Sequence, residues 1–389
     1  MSVTAPEGFV ASGVAAGIKE AGALDMALVA TEDGVAVPAA AVFTTNRAAA
    51  APVQVSRRHL RQSGGRAAAV VLTSGNANAA TGAPGTAAAE RLCERSAEAI
   101  GAEVTEVLVC QTGLIGVPFP IDVAGRAVAD LAARRTRSPE AGAEAATAIM
   151  TTDTVRKEVV VEGDGFTVGA MAKGAAMLAP DMATMLAVLT TDARCERAAL
   201  ARSLHAAVAG SFNALTVDSC TSTNDTVIVL ASGRGRAVDG AELSVSLGEA
   251  CTALTEAMAA DAEGATKVVR VLVTGAASDA DAHRAARQVA GSPLVKCSMN
   301  GADPYWGRVV SELGTAAAAF DLDRVSVAYG GVVVCQGGVA APHDAAAVAA
   351  HMAGTRVDLV CDLGLGSGAG AVLTTDLGYG YIDENRTTS

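Results

Sequence analysis

The chain has 389 residues, 51% of them hydrophobic, which is enough to bury one large core or two packed lobes. A formal charge of −12, a pI near 4.9 and only 3% aromatic residues exclude a general binder of nucleic acid or membrane surface, since an acidic surface repels phosphate and few rings are available for stacking. With no apolar run of spanning length, no basic or apolar leader at Met1, and eight cysteines lacking any C-x-x-C pair, a cytoplasmic protein with reduced thiols is expected.

In chain order, Gly8 to Lys19 is rich in small residues and reads as a loop-like opening, while Met26 to Ala30 and Ala41 to Arg47 (A-V-F-T-T-N-R) read as early strands. Ala67 to Thr73 is a strand that empties into S-G-N-A-N-A-A-T-G-A-P-G, a sequence of turn residues. Thr86 to Ile100 follows as a helix closed by Gly101. The next strand, Glu106 to Cys110, runs into Gln111, Thr112, Gly113, Leu114, Ile115 and Gly116. A Thr-Gly step just past a strand can be a plain turn. It can also aim a hydroxyl and a backbone N–H into one cleft, which is what an oxyanion hole needs.

Ser138-Pro139-Glu140 starts a helix with a cap, a proline in the first turn and an acid beside it; that helix runs to about Met150 and ends in Thr151-Thr152-Asp153-Thr154. Glu158 to Val161 and Thr167 to Met171 read as a strand pair that delivers Lys173. From there the chain reads K-G-A-A-M-L-A-P-D-M-A-T-M-L-A-V-L, through a Pro-Asp corner to Thr184 and then an unbroken apolar run from Met185 to Leu189 that reads as a buried strand. Thr184 is β-branched, so its hydroxyl has little rotamer freedom to lose. Chemistry alone allows a satisfied hydroxyl at a strand start. It also allows a nucleophile that attacks the Ala183 carbonyl, shifts the peptide to an ester, and leaves an N-terminal threonine whose own α-amine is the base.

Farther on, Glu196 to Ala209 and Glu242 to Ala260 are helical, with D-S-C-T-S-T-N-D-T-V-I-V passing from polar loop to strand between them. The block D-A-E-G-A-T-K around Glu263 precedes a strand, Lys267 to Thr274, and a helix, Asp279 to Ala290. The only tryptophan, in D-P-Y-W-G-R, reads as a packing anchor. Val325 to Val334 is a hairpin turning at Gly330-Gly331, and Asp344 to Met352 is a helix. The strand Val357 to Leu363 runs into G-L-G-S-G-A-G, which imitates a dinucleotide loop but lacks the following helix, strand and acid; a glycine-rich hairpin connection to Ala371–Thr375 is expected instead. The five histidines show no metal-ligand spacing, so no metal site is expected.

The block K-G-x-x-M-x-x-P-x-M-A-T-M-L, joined by A-V-F-T-x-N, N-A-N-A-x-T-G, T-G-L-I-G, A-I-M-T-T-D, S-T-N-D-T and D-x-E-G-x-T-K, resembles the ornithine acetyltransferase family, self-cleaving glutamate N-acetyltransferases of arginine synthesis, over nearly the whole chain. The resemblance implies an α/β (α+β) two-lobed fold shared with self-cleaving aminopeptidases. It implies cleavage into an α chain, 1–183, and a β chain, 184–389, that remain associated, as α2β2. Thr112 and Gly113 would be the oxyanion donors and Thr184 the nucleophile. Thr151, Lys173, Thr184, Glu263, Asn385 and Ser389 would bind substrate. The reaction would be a ping-pong exchange of acetyl from N-acetylornithine to glutamate, with no cofactor and with acetyl-CoA as a further candidate donor. Ala176, Tyr305 and Cys297-Ser298 depart from the family's usual residues and leave open a paralogue with another amino-acid substrate. Two further candidates are an aminopeptidase that hydrolyses its acyl-enzyme and a binding protein dead to cleavage, the latter opposed by the intact M-A-T-M-L.

Overall fold

The computed structural model describes residues 2–19, 22–177 and 185–386, which form two compact units. The first holds the chain up to Asn213 and Thr221–Met258; the second holds Ala214–Cys220 and the chain from Ala259.

In the first unit, one sheet has the order Phe9–Val14, Met26–Thr31, Ala69–Thr73, Val107–Gln111, its last pair parallel and the others antiparallel. A second sheet has the order Arg66–Ala67, Val37–Phe43, Thr226–Ala231, Leu186–Thr191, Phe166–Lys173, Lys157–Gly163. The two stack face to face. Phe9, Val29, Val70 and Leu108 of the first sheet meet Met171, Val188 and Ile228 of the second in one core. On its other face, the first sheet buries Val10, Leu28, Val71 and Val109 against Leu92, Val128 and Val55 of the helices Gly82–Ile100, Ile121–Arg134 and Ala51–Gln62. The helix Arg197–Ala209 packs on the strand Val37–Phe43. The order of layers is helices, sheet, sheet, helices.

This layering corrects the loop expected over Gly8 to Lys19. Phe9–Val14 is a strand buried along its whole length, one face in each core. A strand covered on both faces has no apolar/polar alternation to reveal it. The helices Ala51–Gln62 and Ile121–Arg134 are likewise additions to the elements expected from sequence. Ala67 to Thr73 is two strands, Arg66–Ala67 in one sheet and Ala69–Thr73 in the other. Gly101 closes its helix in the left-handed conformation, φ 75°, and the Ser138 hydroxyl accepts from Ala141 N–H at 3.1 Å, both as the sequence predicts.

The second unit is a single sheet in the order Val339–Ala340, Val332–Gln336, Ser326–Tyr329, Arg356–Asp362, Val268–Ala276, Gly368–Thr375. Val271, Val327, Leu359 and Val372 pack with Val289, Met299, Leu313 and Met352 of its helices, and Trp306 lies against that core. The glycine-rich stretch is not a hairpin. Arg356–Asp362 and Gly368–Thr375 both pair with Val268–Ala276, one parallel and one antiparallel, so Gly364 to Ser367 carries the chain across the end of that strand. The crossing is tight: a Cβ on Gly368 would stand 2.3 Å from the Ser278 carbonyl carbon. Tyr305 is 54% exposed with the Arg308 guanidinium over its ring, so this departure lies on the surface. Among the described residues, no helix is long and apolar enough to cross a membrane.

Candidate active site

Ala69–Thr73 and Val107–Gln111 run parallel in register, Thr73 opposite Gln111, so the loops that follow leave the same end of the sheet. They are stitched together at once. Thr112 N–H donates to Thr73 O at 3.0 Å, Leu114 N–H to Gly75 O at 3.3 Å, and Ala77 N–H to Leu114 O at 2.9 Å. Gly113 adopts φ 126°, and a Cβ there would lie 2.3 Å from the Gly75 carbonyl carbon. Only glycine tolerates both that conformation and that approach. Asn78, with φ 49°, donates to Gln111 Oε1 and Gly85 O, each at 2.9 Å, and accepts from the Thr81 hydroxyl at 2.7 Å. Asn224 of the S-T-N-D-T block donates to Ala77 O at 2.6 Å and Gln111 O at 2.9 Å. The N-A-N-A-x-T-G and S-T-N-D-T blocks thus brace the Thr112–Gly113 step.

Lys173 ends the strand Phe166–Lys173, 3% exposed, with its Nζ 3.5 Å from Thr112 Oγ1 and 3.9 Å from Asp153 Oδ2. Asp153 is the hub. Its Oδ1 accepts from Lys157 Nζ and Gly174 N–H, both at 2.7 Å, and its Oδ2 from Thr151 N–H at 3.1 Å. Burial alone would raise its pKa, but Lys173 and Lys157 outweigh that and hold it at about 2. Gly113, Leu114, Gly75, Thr151 and Thr152 line a cavity of about 520 Å³ together with Ile18, Lys19 and Ala23. Lys19 comes from the stretch read as a loop. The buried Asp25 carboxylate accepts from the N–H groups of Ala16, Gly17, Ile18 and Lys19 at 2.6–3.0 Å and fixes the turn that carries it.

Ala183, Thr184 and Ser389 lie outside the described residues. Met185, bonded to Thr184, donates its N–H to Asp225 Oδ1 at 2.9 Å and accepts from Thr226 N–H at 3.1 Å. Asp225 is fully buried, and its Oδ2 has no hydrogen-bond partner among the described residues. Burial raises its pKa well above the usual carboxylate range, against the pull of the Met185 N–H, the Lys173 charge and Ser222. Between the unfolded value near ~3.9 and that raised value, the unfolded chain sheds a proton that the folded chain keeps, so stability falls as pH rises. Asp225→Asn removes this proton linkage. The difference in stability between variant and wild type, followed by thermal denaturation from pH 4 to pH 8, should move in the variant's favour by up to about 1.4 kcal/mol per pH unit. A pH-independent difference would mean that Asp225 is ionised in the folded protein.

Glu263 and Asn385 are in the second unit, where Asn385 Nδ2 donates to Glu263 Oε2 at 2.7 Å. The last helix, Tyr379–Glu384, seats on this block: a Cβ on Gly264 would stand 2.0 Å from Tyr381 N. The structure therefore joins Thr112, Gly113, Thr151 and Lys173 in one group and Glu263 with Asn385 in another. Sequence reasoning missed Lys19, Asp25, Asp153 and Asp225. Asp153 and Asp225 stand inside the family-like blocks, a signal that could have found them. Lys19 and Asp25, in a stretch that reads as loop and strand start, carry none.

The profile of the ArgJ family matches residues 10–387. The arginine biosynthesis bifunctional protein ArgJ of Mycobacterium bovis is 47% identical over 394 residues, spanning 100% of this chain and 96% of that protein. The protein of the same name from Thermobifida fusca is 47% identical over 392 residues and spans 100% of both. Among solved structures, ornithine acetyltransferase complexed with ornithine, from Mycobacterium tuberculosis, is 46% identical over 46% of this chain and 94% of that chain, with a TM-score of 0.44. A profile match from strand one to the last helix and full-length identity near one half lead to a single conclusion: this chain belongs to the ArgJ family.

Proposed function

We propose that the protein cleaves itself between Ala183 and Thr184 and then carries acetyl from N-acetylornithine to glutamate through an acetyl-Thr184 ester. Acetyl transfer in arginine biosynthesis is the activity its family membership carries, and the observation that supports it most is the 47% identity to bifunctional ArgJ proteins along the entire chain. The rest is chemistry. The Thr184 hydroxyl attacks the acetyl carbonyl, its proton passing to the α-amine, a type of base whose unperturbed range near ~7.7–8.0 suits proton transfer near neutral pH. Thr112 Oγ1 and Gly113 N–H receive the developing oxyanion, a role supported by the close approach of Gly113 to the Gly75 backbone, where a Cβ would stand 2.3 Å from the carbonyl carbon. Ornithine leaves with the proton, glutamate enters, and its amine takes the acetyl group. Lys173 meets the α-carboxylate, while Thr151, Glu263, Asn385 and Ser389 complete the grip on the amino acid. No cofactor takes part, and acetyl-CoA is a further candidate donor to glutamate. The two fragments work as α2β2 in the cytoplasm.

Labelled N-acetylornithine tests this, with N-acetylglutamate and free acetate counted separately. Transfer should dominate at saturating glutamate, because a bound, aligned amine outcompetes water by an effective molarity worth ~7–11 kcal/mol. Mostly acetate would replace the transferase with a hydrolase of the aminopeptidase kind. In the same assay, Thr112→Ala should lower turnover roughly 10²–10³-fold, the scale of losing one oxyanion donor. Undiminished turnover would remove Thr112 from that role.

A further inference from the structure

We propose that Lys19 selects the acceptor, its ammonium receiving the side-chain carboxylate of a dicarboxylic amino acid in the cavity beside Gly113 and Thr151. This rests on the acetyl-transfer reading and adds to it a residue that sets substrate choice. Lys19 is half-buried and lines the cavity. Its Nζ donates to Met150 O at 2.6 Å and Leu24 O at 3.2 Å, and its third N–H has no partner among the described residues. The side chain is therefore tethered at a fixed place with one donor to spare.

The turn beneath it is equally fixed. Four backbone N–H groups converge on Asp25, so the lysine is presented with little conformational entropy left to lose. Burial depresses the pKa of Lys19; Asp25 opposes that, and the nearby Lys173 charge depresses it further. Two ammonium groups that disfavour one another gain when an anion with two carboxylates enters. The acceptor's reacting amine must reach the carbonyl held at Thr112 and Gly113. Its α-carboxylate, one carbon away, falls to Lys173, whose Nζ is 3.5 Å from Thr112 Oγ1. A second carboxylate three carbons on needs a separate cation, one that lines the cavity beside Gly113 and Thr151. Lys19 is that cation. A neutral isostere such as glutamine offers no charge to it.

The test compares glutamate with glutamine as acceptors of labelled acetyl from N-acetylornithine, by kcat/KM, in wild type, Lys19→Met, Lys19→Gln and Lys19→Arg. Wild type should prefer glutamate, and Lys19→Met should erode that preference roughly 10–150-fold, the worth of one charge-assisted hydrogen bond. The arginine variant, which keeps the charge, should retain most of the preference. A purely structural role would depress both acceptors together and leave their ratio unmoved, and that result overturns the proposal. Should Lys19→Met fail to fold, Lys19→Gln retains an N–H donor for the Met150 and Leu24 carbonyls and must show the same loss of preference. Wild type that transfers acetyl to glutamate with a ratio insensitive to residue 19 sinks this assignment alone. Wild type that transfers to neither acceptor sinks the acetyltransferase reading, and the assignment with it.

Discussion

Replacing Thr184 with alanine is expected to leave the chain in one piece and to abolish acetyl transfer. Freshly purified wild type should separate on a denaturing gel into fragments 1–183 and 184–389, and N-terminal sequencing of the second should begin Thr-Met-Leu. The alanine variant has no hydroxyl to attack the Ala183 carbonyl and no free α-amine to act as base. Its turnover should therefore drop by roughly 10⁶-fold, the scale seen when a covalent nucleophile is deleted. Under native conditions the wild-type fragments should stay together. Phe166–Lys173, before the cut, pairs with Leu186–Thr191, after it, and Val37–Phe43 pairs with Thr226–Ala231, so one sheet is built from both. An uncut, fully active wild type would end the nucleophile assignment.

Asp153→Ala is expected to be the most damaging change away from the cleavage point. It deletes the carboxylate that Lys157, with its side chain wholly buried, and the buried Lys173 both approach. It also strips the acceptor from Gly174 N–H and Thr151 N–H. Removing one partner of a buried ion pair strands charge in a poor solvent, which costs about 3–5 kcal/mol. The pH dependence identifies the cause. The folded-state pKa is depressed to about 2, so the stabilisation is present above the unfolded value near ~3.9 and is lost as pH falls toward 2. Thermal denaturation of wild type and variant should thus differ strongly at pH 7 and converge near pH 2. A constant difference across that range would mean that packing, not charge, is what the alanine removes.

Much of the local structure was legible because it depends on neighbours in sequence. Ser138-Pro139-Glu140 starts a helix, Gly101 ends one, Gly330-Gly331 turns a hairpin, and the apolar run after Met185 is a strand, each through interactions within a few residues. The family blocks also marked Thr112, Gly113, Thr151 and Lys173, which the fold does bring together. That they do so follows from the parallel pairing of Ala69–Thr73 with Val107–Gln111 and from the stacking of that sheet on the one containing Phe166–Lys173, contacts between segments far apart in the chain. No local signal encodes such a register.

Tertiary structure alone decided three things. Phe9–Val14 is a strand because two cores cover it, and burial on both faces erases the alternation by which strands are recognised. The glycine-rich stretch after Asp362 crosses a strand end instead of turning a hairpin, because Val268–Ala276 takes the place between its two flanks. Asp25, Asp153 and Asp225 are carboxylates of one type with three fates. Asp25 is the acceptor for four backbone N–H groups, Asp153 is held ionised between two lysines, and Asp225 is driven toward its neutral form with one oxygen unpartnered among the described residues. A sequence names the carboxylate, but the balance between lost water and gained partners sets its charge, and that balance exists only once distant segments have packed around it.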